Sequence, residues 1–221
     1  MTGRERMIAT LEHRKPDQIP IQLGWRREVA DAMCSYYGVE NLEEVAKVLG
    51  ADISRSVGIR TEWPEWQSRV NGELDIPFGR IGKTVLHDER TFEDPWGVVE
   101  RAAPDGKYVE WVNGPFRDTD DLSAFDWPTE DNLVYNAEEL REQVRSYREQ
   151  GFWVLGSGGV HPFKQAWRMR GMENFLCDYV ANPEWAAAIQ DRFLQYNLLH
   201  TRACAEAGVD MFLYWGDVAM Q

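Results

Sequence analysis

From residue 136 onward the chain alternates long helical patterns with short, near-continuous apolar runs. Asn136 with Glu139 caps a helix through about Gln150, Gly151 ends it, and Phe152-Trp153-Val154-Leu155 follows as a strand. The glycine-rich turn Gly156-Ser157-Gly158-Gly159 leads to Pro162, which suits the first turn of a helix running to about Val180. Asn182-Pro183 opens another helix that ends at Gly208, and Val209 to Trp215 is a second apolar strand. Strands apolar on both faces, set between helices, imply a parallel sheet covered by helices, so the fold class is α/β.

The earlier residues supply an N-terminal helical region, 1–50. Thr2 with Glu5 forms a capping box, and Lys15-Pro16-Asp17 stops the helix it opens. Ile19-Pro20-Ile21 reads as extended. Residues 26–37 read as a helix closed by Gly38, and Asn41 with Glu44 opens one that ends at Gly50. Asp52 to Ile59 reads as a strand. Residues 60–116 form a β-rich excursion, with a hairpin turning at Ala103-Pro104-Asp105-Gly106-Lys107. The stretch Asp118 to Asp131 holds six acids and no base, and reads as a solvated connection. Residues 136–221 are βα units, and the three regions read as parts of one domain.

Charge and composition narrow the function classes. Lys and Arg number 24 against 37 Asp and Glu, a net charge of −13, which repels phosphate backbones and excludes a nucleic-acid partner. No apolar run reaches the 18 or so residues of a membrane span. The charged start lacks the apolar segment of a secretory signal. Three widely spaced cysteines fit a reducing cytosol, so a cytoplasmic location is expected. Cys34 and Cys177 fall in helical patterns and read as small core residues.

Chemistry in α/β folds collects beyond the carboxyl ends of the strands. Three segments qualify: Ser56 to Arg60, Gly156 to His161, and Gly216-Asp217. The glycine turn either cradles an anion on its amides or serves as a tight strand-to-helix turn; it lacks the third spaced glycine of a dinucleotide fingerprint. His161 is either a general acid–base group or a helix cap, and Asp217 either an active-face carboxylate or an N-cap. Asp217 and His161 are the catalytic candidates. Ser157, Gly158, Gly159, Arg60 and Trp167 are the substrate-binding candidates. His200 and Cys204 are spaced i, i+4 but lack a third ligand, so no metal site is assigned within the chain. Arg168 and Arg170 could clamp substrate carboxylates or line a solvated helix side. Trp63/Trp66 and Trp111/Trp127 could line an aromatic pocket or staple loops.

The opening Arg4-Glu5-Arg6-Met7 through His13 and Lys15-Pro16-Asp17-Gln18-Ile19-Pro20-Ile21, with Asp94-Pro95-Trp96-Gly97-Val98, Phe163-Lys164-Gln165-Ala166-Trp167, Arg170-Gly171-Met172-Glu173-Asn174-Phe175-Leu176 and Gly216-Asp217, together resemble the uroporphyrinogen decarboxylase family in order and spacing. The resemblance implies a TIM (β/α)8 barrel with N-terminal embellishments. It implies one of two activities: decarboxylation of porphyrinogen acetate arms, or movement of a methyl group between a corrinoid protein and a thiol or similar acceptor with the help of zinc. Decarboxylases of the family carry an arginine motif, R..GR, just after the first strand. Pro20-Ile21-Gln22-Leu23-Gly24-Trp25 lacks it, and Arg26 and Arg27 are out of register. The decarboxylases also carry a tyrosine in the helix after the glycine turn, and residues 162–178 contain none. Both departures favour the methyltransferase-like branch, with a corrinoid protein or a tetrapyrrole as partner and a homodimer as one assembly open to it.

Only three barrel strands are readable: 52–59, 152–156 and 209–215. A closed barrel takes eight, typically in about 250 residues. The expectation is therefore an incomplete barrel, the N-terminal portion of a longer or split enzyme, inactive by itself. Any zinc ligands would follow Gln221. The other readings are uroporphyrinogen decarboxylation and an inactive module that binds a tetrapyrrole or corrinoid.

Overall fold

The computed structural model describes residues 1–76 and 79–214. In chain order the elements are α1 (Gly3–Leu11), α2 (Arg27–Tyr37), α3 (Leu42–Val48), β1 (Ser54–Gly58), β2 (Arg60–Thr61), α4 (Pro64–Arg69), β3 (Gly72–Ile76), β4 (Gly79–Leu86), β5 (Thr91–Glu93), β6 (Val99–Ala102), β7 (Val109–Asn113), β8 (Leu133–Val134), α5 (Ala137–Glu149), β9 (Trp153–Ser157), α6 (Pro162–Arg170), α7 (Met172–Ala181), α8 (Pro183–Ala207) and β10 (Met211–Phe212). The chain divides into two units, one formed by Met1–Ile59, Tyr135–Ser157 and Thr201–Leu213, the other by Arg60–Val134, Gly158–His200 and the residues from Tyr214.

The first unit is built on a parallel sheet in the order β1-β9-β10. The central strand β9 is an apolar run buried on both faces, whereas β1 carries Ser54, Arg55 and Ser56 and is only partly buried. Val57, Val154 and Leu155 are core, and α5 covers them with Leu140 and Val144. The sheet is α/β as expected, but among the described residues its strands form an open sheet and not a closed barrel. The third strand is short, Met211–Phe212, and Asp210 just before it serves as an anchor. The Asp210 N–H donates to the Val154 carbonyl at 2.8 Å while its carboxylate accepts from the Val154 N–H at 3.0 Å. The same carboxylate pairs with Arg4 at 2.9 Å and Arg148 at 2.6 Å, and so ties α1 and α5 to the central strand. Burial works against its ionisation, but the bonds from Arg4 and Arg148 outweigh that and hold it below the usual carboxylate range.

Local signals in the N-terminal helices form as the residues dictate. Thr2 and Glu5 make the reciprocal capping box, Asn41 accepts from the Glu44 N–H, and Gly38 closes α2 at φ 66°. Arg6, almost buried, is held between Asp17 and Asp52, so the Lys15-Pro16-Asp17 stop also supplies an ion-pair partner. Cys204 is buried and Cys34 partly so, but Cys177 lies on the outer face of α7 and is exposed, against the expectation of a core residue.

The second unit holds the five-stranded antiparallel meander β3-β4-β5-β6-β7, with the hairpin at residues 103–107 where it was expected. Two expectations change here. The helix foreseen from Pro162 to Val180 is two helices, broken at Gly171 with φ 90°. A Cβ there would sit 3.2 Å from the Trp111 ring, so both the conformation and the close packing require glycine. The acidic stretch 118–131 is not merely a solvated connection. Its interleaved Leu122, Phe125 and Trp127 pack on a core formed by Trp96, Phe116, Phe175, Trp185 and Phe193. No helix among the described residues is long and apolar enough to cross a membrane.

The Asp210 anchor gives a direct stability test. Asp210→Ala removes one carboxylate and leaves two guanidinium groups without it, so urea unfolding of the variant is expected to show a loss of about 3 kcal/mol. A loss below about 1 kcal/mol would mean that Arg4 and Arg148 find other partners.

Candidate functional site

The three parallel strands of the first unit end together at Gly58, Ser157 and Phe212. At this edge the Ser157 hydroxyl donates to the Val57 carbonyl at 3.2 Å and lies 3.3 Å from the Ser56 hydroxyl. A Cβ on Gly58 would meet the Ser157 carbonyl at 2.7 Å, so glycine there lets the two chain ends close up. Ser157 thus sits at the carboxyl end of the sheet, with its hydroxyl engaged by the neighbouring strand.

The turn that continues from β9 belongs to the second unit and is held by two side chains of α8. Asn197 grips Val160 from both sides: its Oδ1 accepts from the Val160 N–H at 2.8 Å, and its Nδ2 donates to the Val160 carbonyl at 2.7 Å. The Tyr196 hydroxyl donates to the Gly158 carbonyl at 3.3 Å. A Cβ on Gly159 would meet Asn197 Oδ1 at 2.7 Å, so this glycine is required by the closeness of α8. The Val160 amide is therefore committed to Asn197 and is not open to an anion.

Behind the turn lies a buried polar chain. Thr61 Oγ1 is 2.9 Å from the Tyr196 hydroxyl and 3.1 Å from His200 Nε2. The order of donors follows from one fixed end. The Gly158 carbonyl can only accept, so Tyr196 gives it the phenol proton. Thr61 must then donate to Tyr196 and accept from His200, which places the imidazole proton on Nε2. His200 Nδ1 consequently carries a lone pair, and it finds no partner among the described residues. The ring is 1% exposed, and burial pushes its pKa down to about 4.

The remaining candidates are placed as follows. His161 is the N-cap of α6, its Nδ1 accepting from the Lys164 N–H at 3.4 Å. Trp167 packs, partly buried, on the aromatic core, and Arg60 is exposed in β2 opposite Val134. Gly158 has φ 128°. Asp217 lies outside the described residues. Gly158, Gly159 and His161 stand together at the turn and α6 N-terminus; Arg60 does not join them through any contact described.

Arg168 and Arg170 do not lie along a solvated side; the protein's own carboxylates hold both. Arg168 pairs with Asp94 at 3.0 Å and Glu100 at 2.9 Å, and its carbonyl accepts from the Trp111 indole. Arg170 pairs with Asp178 and Asp120, donates to the Phe116 carbonyl, and lies 4.5 Å over the Trp185 ring. Asp94 also accepts the Trp96 and Val98 amides and so shapes the Asp94–Val98 turn, in which Gly97 takes φ 70°. Burial pushes Asp94 up to about 6 against the pull of Arg168. Sequence reasoning missed Thr61, Tyr196 and Asn197. The available signal was the pair Tyr196-Asn197 one turn before His200 on the same helix.

No protein-family model matches the chain, and no curated protein matches it. A solved structure, a methyltransferase from Methanosarcina mazei, is similar with a TM-score of 0.48 and 13% sequence identity, over 96% of this chain and 58% of that one. The chain thus spans less than two thirds of that protein's length.

The buried imidazole sets a pH dependence with a definite sign. Its folded pKa lies below the value near 6.5 of a free histidine, so its contribution to stability is complete above pH ~6.5 and is lost as pH falls toward about 4. Over that window the wild type is expected to lose up to about 3 kcal/mol more than His200→Gln, which keeps an N–H for Thr61 and does not titrate. Parallel unfolding curves for the two proteins at each pH would refute the assignment.

Proposed function

We propose that this chain is part of an enzyme of the uroporphyrinogen decarboxylase type, in its methyltransferase-like branch, moving a methyl group between a corrinoid protein and a thiol or similar acceptor. One observation carries the family reading. The segments that bear the resemblance depend on one another in the fold: Asp94 of the Asp94–Val98 turn is paired with Arg168, and Trp96, Ala166, Met169 and Phe175 share one core. Motif residues that pack together support a likeness of a folded unit and not of scattered letters. On this reading the strands of the first unit are the first strands of a (β/α)8 barrel, and the glycine turn is part of its active face.

The choice of branch rests on charge. A porphyrinogen presents many carboxylates, and a site for it needs cations. Residues 20–25 offer none, and the chain as a whole carries −13. Zinc, which the branch implies, does not fit the described residues: no three His, Cys, Asp or Glu side chains gather there. His200 spends Nε2 on Thr61, and burial pushes the Cys204 thiol up, so no step is drawn through a metal.

What this chain supplies is a wall and a proton-bearing group. His161 uses Nδ1 for its cap, so the neutral ring presents an N–H at Nε2 beside the glycine turn. Asp217 is the carboxylate proposed to act with it. Ser157, Gly158 and Gly159 are proposed to border the substrate, and Arg60 and Trp167 are separate substrate-binding proposals.

The test is an assay of the complete enzyme of which this chain is proposed to be part, with methylcobalamin and a thiol, following loss of the cobalt–carbon absorbance, alongside CO2 release from uroporphyrinogen. Methyl loss without CO2 release is expected; CO2 release would replace this reading with the decarboxylase. His161→Asn separates the roles of that residue, because asparagine also caps helices. Its stability is expected to stay within about 0.5 kcal/mol of wild type while turnover falls about 100-fold. Unchanged turnover would leave His161 as a cap alone.

A further inference from the structure

The second unit contains a cleft that the reading above does not use. It lies between α4 and the segment 124–132 and has a volume of ≈180 Å³. Trp63, Trp66 and Phe125 line it, together with three prolines. The aromatic walls are held in place from behind. The Trp66 indole donates to the Glu93 carbonyl at 3.0 Å, and Trp63 packs edge-on against Trp96 at 4.6 Å and tilted against Phe125 at 6.5 Å.

Charge is distributed unevenly around this cleft. Arg69 lies on its lining but is already paired with the almost buried Glu93. Glu65 and Asp126 also line it, are exposed, and make no side-chain hydrogen bond or ion pair among the described residues. Two uncompensated carboxylates therefore border an aromatic cavity.

The chemistry of the walls selects among cations. A metal ion or a primary ammonium ion requires several oxygen acceptors to replace its water; the carboxylates of Glu65 and Asp126 offer some, but both stand exposed to water, and the indole, phenyl and proline walls add none. A quaternary ammonium ion sheds water cheaply, presents methyl groups to aromatic rings, and keeps its charge within reach of the carboxylates. Size agrees. The cleft equals about six water volumes of ~30 Å³ each, and is well under the 300–1,000 Å³ or so of clefts for drug-sized ligands. We propose that this cleft is a binding site for a small quaternary ammonium compound of the choline type. The proposal stands on these residues alone and is independent of the activity proposed above.

The experiment titrates choline into the protein and follows the indole N–H resonances of Trp63 and Trp66, assigned through Trp→Phe variants. A second titration uses the uncharged isostere of choline, in which a quaternary carbon replaces the nitrogen. Saturable shifts with choline are expected, with the isostere at least about tenfold weaker. The double variant Glu65→Gln with Asp126→Asn is expected to bind choline about tenfold more weakly, with an unchanged circular dichroism spectrum and unfolding midpoint. Three results would overturn the proposal: no saturable shift, equal binding of choline and isostere, or full affinity in the double variant. Because both substituted side chains are exposed, loss of folding does not confuse the outcome.

Discussion

The guanidinium of Arg168 is the point on which the second unit turns. It leaves α6 and reaches two carboxylates of the antiparallel meander, Asp94 and Glu100, while the carbonyl of the same residue takes the Trp111 indole proton. With a partly buried charge on each side, loss of one partner would strand the other in a poorly hydrated place. Asp94 in turn shapes the turn that inserts Trp96 into the aromatic core. Helix, turn and core thus form one chain of dependence. In the first unit Asp210 has the corresponding place, joining α1 and α5 to the central strand.

Much of this architecture was legible because it is local. Capping pairs such as Thr2–Glu5 and Asn136–Glu139, and glycines such as Gly38, act within a few residues, so spacing alone locates them. The central strand β9 was legible because both its faces are buried and the apolar run Phe152-Trp153-Val154-Leu155 is unbroken. What escaped was set by distant partners. The break at Gly171 depends on Trp111, sixty residues earlier in the chain. The docking of Leu122, Phe125 and Trp127 was hidden by the acids between them, since charge dominates a local window while three large apolar side chains decide its fate in the fold.

The candidate site divides in the same way. The glycine turn and the cap at His161 could be located from the order of strand, glycine and proline. The clamp made by Asn197 and the chain through Thr61 could not, because one partner comes from β2 and the other from α8. The arginines illustrate the opposite error. Side-chain chemistry correctly marked Arg168 and Arg170 as carboxylate binders, but the carboxylates are the protein's own. An acidic chain has abundant internal anions, and its arginines are drawn to them first.

The hydrogen bonds that run from His200 through Thr61 and Tyr196 end on the Gly158 carbonyl. Every donor in that series faces the same way, and its terminus has no proton to return. Such a line has no reverse order of donation, so a proton delivered at the histidine end has nowhere to leave at the other. The row of side chains has the composition of a proton wire but the polarity of a brace: it fixes the turn against α8 and insulates it from the titration of the ring behind it.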